Sequence, residues 1–226
     1  MSKRETPLVE GEYYHVFNRG VDKRVVFEDK YDFKRFLTSL VDFNSVTPIG
    51  SIFENSFRKK QSLGNLVSKW NKNKKDKAPL VEFTAYCLNP NHFHLILKQV
   101  SDRGIEKFMH RLGLGYTKYF NEKNKRSGSL FQGTFKSIHI ENNEQLLYLS
   151  SYVNLNNRVH GISDHKCQSS WHEYTDEEGK DICNTDLILK QFKRKEIYTK
   201  ETEKIVRDIY EKREDMKAVF LEELGN

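Results

Sequence analysis

At 226 residues, with 37% hydrophobic and 12% aromatic side chains, the chain is long enough for one sizeable domain with an appendage. A net charge of +6 points to a polyanionic partner, with a merely solvated surface as the plainer alternative. No apolar run is long enough to span a bilayer, MSKRETPLVEGEYY lacks an apolar leader, and Cys87, Cys167 and Cys183 are too scattered for a disulfide framework; these features exclude a membrane span and predict a reducing, cytoplasmic setting.

In chain order, EYYHVFN (12–18) is a short aromatic and β-branched run closed by Arg19-Gly20, a first strand. DKYDFKRFLTSLVDFN (29–44) spaces Phe33, Phe36, Leu37, Leu40 and Val41 as an amphipathic helix, with Asp29 or Asp32 as its cap. Residues 51–79 lose periodicity and read as a basic, Lys- and Asn-rich insertion. LVEFTAYCL (80–88) is a second strand, Asn89-Pro90-Asn91 a turn by residue type, and HFHLIL a third strand that completes a hairpin. Residues 103–124 read as a long helix weakened by Gly113 and Gly115, 134–140 as a fourth strand, and 142–159 as a second strong helix. The stretch after Gly161 is irregular to about Asp186, and charged helices follow.

A hairpin set between two crossover helices gives an α+β fold. It follows the split βαβ plan, a ferredoxin- or RRM-like antiparallel sheet of four strands with packed helices, plus C-terminal helices. The expected organisation is a domain over 1–165 and an extension over 166–226.

Alternation along the third strand puts His92 and His94 on one face and Phe93, Leu95 and Leu97 on the other. The second set is a core face. The first either chelates one ion or is two independently hydrogen-bonded rings, because short H-x-H matches are common. Two imidazoles do not complete a structural zinc site, and Cys167 with His165 or His172 fits no zinc spacing well. An oxygen donor as third ligand would suit Mn²⁺ or Mg²⁺. On LLYLSSYVNLNNRVHG, Tyr152 and Asn156 are spaced to share one helical face. A packed tyrosine and a capping asparagine are the plainer reading. Turned toward the histidines, they would supply a phenol nucleophile and an oxygen ligand.

YHVFNRGVDKRVVF, YCLNPNHFHLIL, GYTKYFNEKNKRSGSLFQGTFKS and YLSSYVNLN, in this order over most of residues 11–160, resemble the REP-associated tyrosine transposases. These are single-tyrosine members of the HUH endonuclease superfamily, related to IS200-like transposases. SSWHEY and ICNTDLILKQF resemble the family's C-terminal region. The resemblance implies His92, His94 and Asn156 as metal ligands for Mg²⁺ or Mn²⁺, and Tyr152 as the catalytic nucleophile, with Tyr148 as its rival. Two departures stand out: Asn157 follows the ligand asparagine where proline is usual, and Asn89 precedes the Pro-Asn-His where methionine is common.

The implied activity is DNA transposition chemistry: cleavage and rejoining of hairpin-flanked single-stranded DNA, a REP-like palindrome, through a 5′-phosphotyrosine. A domesticated, non-catalytic DNA- or RNA-binding protein is the alternative. The protein would act as a monomer or homodimer. Expected DNA contacts are Arg19, Lys23 and Arg24 after the first strand, and Tyr116, Lys118, Tyr119, Lys123, Lys125, Arg126 and Lys136 around the long helix and fourth strand. Together they would combine cations with stacking rings.

Overall fold

The computed structural model describes residues 7–50, 52, 78–176 and 182–224. Most of the expected basic insertion lies outside the described residues.

β1 (Tyr13–Arg19), β2 (Val81–Asn89), β3 (His92–Gln99), β4 (Lys136–His139) and β5 (Gln168–Ser169) form one antiparallel sheet in the order β4-β1-β3-β2-β5. Among the four expected strands, β1 and β3 are the central pair, with β4 outside β1 and β2 outside β3, as the split βαβ plan requires. β5 is a strand the sequence does not announce, since two residues carry no alternation. It adds to the β2 edge by pairing Cys87 with Ser169. β4 is shorter than expected: four residues, with Ile138 half exposed at the sheet margin.

α1 (Lys30–Asp42) starts where the carboxylate of Asp29 accepts from the backbone N–H groups of Tyr31 (2.7 Å) and Asp32 (3.1 Å). With α2 (Gly104–Lys123), it covers the sheet face bearing Val16, Phe93, Leu95 and Leu97. Phe36 reaches across this layer, its ring centroid 5.2 Å from Phe93 and 4.9 Å from Tyr116. Each such buried ring contributes about 1.5–3 kcal/mol. Gly104 opens α2 against β2: a Cβ there would collide with the Leu80 carbonyl oxygen.

The opposite face carries His15, Phe17 and Arg19 of β1, His92, His94 and Ile96 of β3, and Ala85, Cys87 and Asn89 of β2. α3 (Asn143–Asn154), capped by the Asn142 side chain, packs on this face. The expected single helix over 142–159 is in fact two. Leu155 leaves helical geometry (φ −116°, ψ 29°), and α4 (Asn156–Val159) resumes after it. Leu155 seats beside Val159 and Val206 in a small separate cluster.

The C-terminal part adds α5 (Trp171–Thr175), α6 (Asp186–Leu189) and the long α7 (Lys195–Leu224). α7 is stitched to α3 by Ser151–Thr202 (3.0 Å) and by Asn154, whose amide donates to the Tyr198 hydroxyl (2.8 Å). Asn154 also accepts from Ser170 (2.5 Å), whose own hydroxyl oxygen accepts from the Tyr86 backbone N–H (2.8 Å). No helix among the described residues is long and apolar enough to cross a membrane.

Candidate active site

β3 enters its run at His92, directly across from Asn89 of β2 and Arg19 of β1; His94 lies across from Cys87 and Phe17. The rings of His92 and His94 lie 5.2 Å apart, edge to face, and both are 8% exposed. Each has its Nδ1 engaged. His92 Nδ1 lies 2.6 Å from Asn91 Oδ1, an atom that can only accept, so that nitrogen carries the proton. His94 Nδ1 lies 2.8 Å from Nε2 of His15, whose ring stacks beside it at 5.0 Å. His92 is thereby set to offer Nε2, and His94 does the same in the tautomer in which its Nδ1 donates to His15. Burial lowers the pKa of His15 to about 4 and lowers those of His92 and His94. For His92, Arg19 and Arg213 add to the effect, and for His94 the neighbouring imidazoles do. The rings are neutral at pH 7, as metal ligands must be.

α4 delivers Asn156 to this place. Its Oδ1 is 3.3 Å from His92 Nε2, and its Nδ2 is buried with no hydrogen-bond partner. The expected shared face of Tyr152 and Asn156 is interrupted by the Leu155 break, yet both reach the histidines. The Tyr152 ring meets His94 edge-on at 5.8 Å and His15 at 6.3 Å. Tyr148, one turn earlier, is 48% exposed.

Among the described residues no three His, Cys, Asp or Glu side chains gather to hold an ion. A metal site here needs the amide oxygen. Two imidazole nitrogens and one carboxamide oxygen are donor types that suit Mn²⁺ or Mg²⁺. Cys167, the conceivable zinc ligand, is buried against the Asp164 carbonyl (3.4 Å). Asn157, in the place of the usual proline, uses its amide to hold Ile162 O (3.1 Å) and Asp164 Oδ1 (2.6 Å), which fixes the loop after α4.

Residues 52–156 match the family described as transposase IS200 like. The chain resembles an IS200-like transposase. A solved structure of a REP-associated tyrosine transposase bound to a REP hairpin is similar in fold, with a TM-score of 0.51 at 14% identity, covering 80% of this chain and 90% of that one. No curated protein matches. The match to the transposase family stops at Asn156, so the histidine pair, Tyr152 and Asn156 all fall within it.

The residues expected to touch DNA fall on two sides of the transposase-like sheet. Arg19 and Lys136 share the histidine face, and the Nε of Arg19 is buried without a partner beside His92. Lys23 and Arg24 are exposed on the turn after β1, which is tied to the hairpin by Asn91 Nδ2 donating to the Lys23 carbonyl (3.1 Å). The α2 group lies behind the sheet. Tyr116 is fully buried, its hydroxyl donating to Val26 O (2.6 Å), and offers no stacking surface. Tyr119 donates to Asp32 (3.0 Å), and its pKa is pushed up to about 12 by burial and that carboxylate. Lys123 is consumed by Asp29 (2.9 Å) and Asp32 (2.8 Å). Arg126 holds the following loop through Asn121 and the Ser129 carbonyl. Only Lys118 and Lys125 of that group stand exposed without such a tie. The reason is local: an acidic cluster on α1 recruits the cations and phenols of α2 for packing.

Sequence reasoning missed His15, Asn89, Asn91 and His160, whose ring lies 4.9 Å from that of His92. The one available signal was YHV at the head of β1, since a histidine on a central strand needs a partner. A cleft of about 940 Å³ beside α1 is lined by none of the four site residues.

Proposed function

We propose that the protein is a metal-dependent single-strand DNA endonuclease and strand transferase, which cleaves and rejoins hairpin-flanked DNA. The observation that carries this reading is the convergence, within one chain, of His92, His94 and Asn156 with the Tyr152 ring. A bound Mg²⁺ or Mn²⁺ would supply Lewis acidity and charge neutralisation to the scissile phosphate. His92, His94 and Asn156 would hold it, the last through its amide oxygen. Tyr152 attacks phosphorus in line through its phenolic oxygen, the phenolic proton leaving to solvent as the O3′ bond breaks. The products are a 5′-phosphotyrosine and a free 3′-hydroxyl. Return of a 3′-hydroxyl to that phosphorus rejoins a strand and frees the phenol, so the bond energy is conserved.

Arg19, with an unpartnered buried Nε beside the histidines, is suited to a phosphate oxygen, and Lys23, Arg24 and Lys136 extend the positive surface. A site complete in one chain supports action as a monomer. The proposed setting is the cytoplasm, where hairpin DNA is met.

The test is a denaturing gel of the protein mixed with end-labelled hairpin single strands and Mn²⁺ or Mg²⁺. A covalent protein–DNA band is expected, lost with chelator and lost in Tyr152→Phe. A band that survives Tyr152→Phe and disappears in Tyr148→Phe would reassign the nucleophile. Salt-sensitive DNA binding with no band under any metal would favour a non-catalytic binder.

A further inference from the structure

Asn89 is the one polar side chain that lies between the ligands just described. It is 0% exposed. Its Nδ2 donates to Asn156 Oδ1 at 2.8 Å and lies 3.0 Å from His92 Nε2. It therefore sits where two of the lone pairs intended for an ion converge, doing with N–H dipoles what a cation does with charge. An ion reaching these lone pairs cannot coexist with that amino group: both are electropositive and both need the same acceptors.

Asn89 has nowhere else to go. Pairing with β3 fixes its backbone, its register partner being His92 itself, and β5 holds the two residues before it, Cys87 and Leu88. What it can do is turn over. A carboxamide is nearly symmetric in shape, with an oxygen at one tip and an amino group at the other. Half a turn about χ2 exchanges a repelled donor for an oxygen ligand. The turn gives up the amino-group contacts to Asn156 and His92, whose acceptors an ion would then satisfy, and on the oxygen side it gives up only the Cys87 thiol at 3.8 Å, a weak donor.

We propose that Asn89 is a fourth protein ligand, which bridges His92 and Asn156 through its amino group when the site is metal-free and presents Oδ1 to the ion when the site is loaded. The inference rests on the metal site proposed above. It makes the ligand set two nitrogens and two carboxamide oxygens, a harder and more oxygen-rich set that favours Mg²⁺ and Mn²⁺ over Zn²⁺. It also explains how two acceptors are held together, without mutual repulsion, before an ion arrives.

The experiment is titration of the full chain with Mn²⁺, free Mn²⁺ being read from its six-line paramagnetic resonance signal. Asn89→Leu should weaken binding about 10- to 100-fold, the range seen when a group supporting a metal site is removed. Asn89→Asp keeps a ligating oxygen and removes the amino group, so it should bind Mn²⁺ at least as tightly as the unmodified protein. If Asn89 only bridges the metal-free site, its amino group competes with the ion; Asn89→Leu then binds Mn²⁺ no more weakly than the unmodified protein, and the proposal falls. His92→Ala separates this from failure of the site itself: Mn²⁺ affinity untouched by that change would overturn both readings. A crystal of the unmodified protein with Mn²⁺ needs no variant to fold. The ion should lie at ligand distance, about 2.1 Å, from Asn89 Oδ1, and a water in that place would overturn the proposal.

Discussion

At the scale of single residues, the site is a set of decisions about which nitrogen carries a proton. His92 Nδ1 points at the Asn91 side-chain oxygen Oδ1, and His94 Nδ1 at His15. In the proposed metal site these outer groups would matter almost as much as the ligands. Asn91→Ala should leave the fold intact, because the Asn91 side chain otherwise only tethers the Lys23 carbonyl. It should weaken Mn²⁺ binding about 10- to 100-fold, measured by calorimetry alongside the melting curve of the metal-free protein. The histidine pair was legible from alternation alone, because two polar rings on one face of a central strand demand an explanation. Asn89 and Asn91 were legible only as turn residues. Their types suit a turn, and nothing in a local window says that the turn also closes over a ligand. His15 is 79 residues from His94 in sequence, and only strand pairing brings them together.

At the scale of elements, the two-residue β5 left no periodic pattern, whereas the first four strands, the long helices and their buried faces followed from periodicity, since each long amphipathic segment buries a single stripe. The break at Leu155 did not, because no glycine or proline marks it. What sets it is tertiary: Asn154 just before it is drawn to Tyr198 and Ser170, and Leu155 to Val159 and Val206. Replacing Asn154 by alanine should remove the buried bonds to Tyr198 and Ser170 and cost about 1–3 kcal/mol, read as a lower urea midpoint. The surface role expected for α2 was not to be decided from sequence either. Tyr116, Tyr119 and Lys123 look like a stacking and phosphate-binding set, and only the position of Asp32, buried opposite them on α1, shows that they serve packing.

The same scale carries a pH dependence. Glu173 on α5 is buried, and burial raises its pKa despite the backbone N–H groups of Ile182 and Cys183 that it accepts. A carboxyl with a folded-state pKa above its unfolded value binds more protons when folded. Its contribution is therefore complete below the unfolded pKa and is lost as pH rises through the folded one. Glu173→Gln retains an acceptor and cannot ionise. Its melting temperature should gain on the unmodified protein steadily as pH is raised from 4 to 7, and equal gain at every pH would show that ionisation plays no part.

At the scale of the whole molecule, the net charge of +6 is unevenly used. Much of the positive charge on α2 is neutralised internally, whereas Arg19, Lys23, Arg24 and Lys136 lie around the histidine face or on the adjoining turn. Composition pointed to a polyanion but could not say which cations remain for it. Replacing Arg24 with alanine should reduce the slope of log affinity against log salt by about 0.7 for a single strand. The same change at Lys123 should leave the slope alone and lower stability instead, because Asp32 would lose its counter-charge. Filter binding across a salt series, with melting curves beside it, distinguishes the two.

The stitching of α7 to the site also has a consequence in time. Synthesis delivers β1, the histidine hairpin, Tyr152 and Asn156 first, while Tyr198, Thr202, Glu203 and Arg213 come later. These later residues hold Asn154, Ser151, Arg158 and the Val159 carbonyl in place. A ribosome partway through the message thus carries a chain that owns every reactive group but lacks the brace that aligns them. Under the function proposed above, alignment of these groups waits for α7, which follows after the sheet has had time to close over its own core.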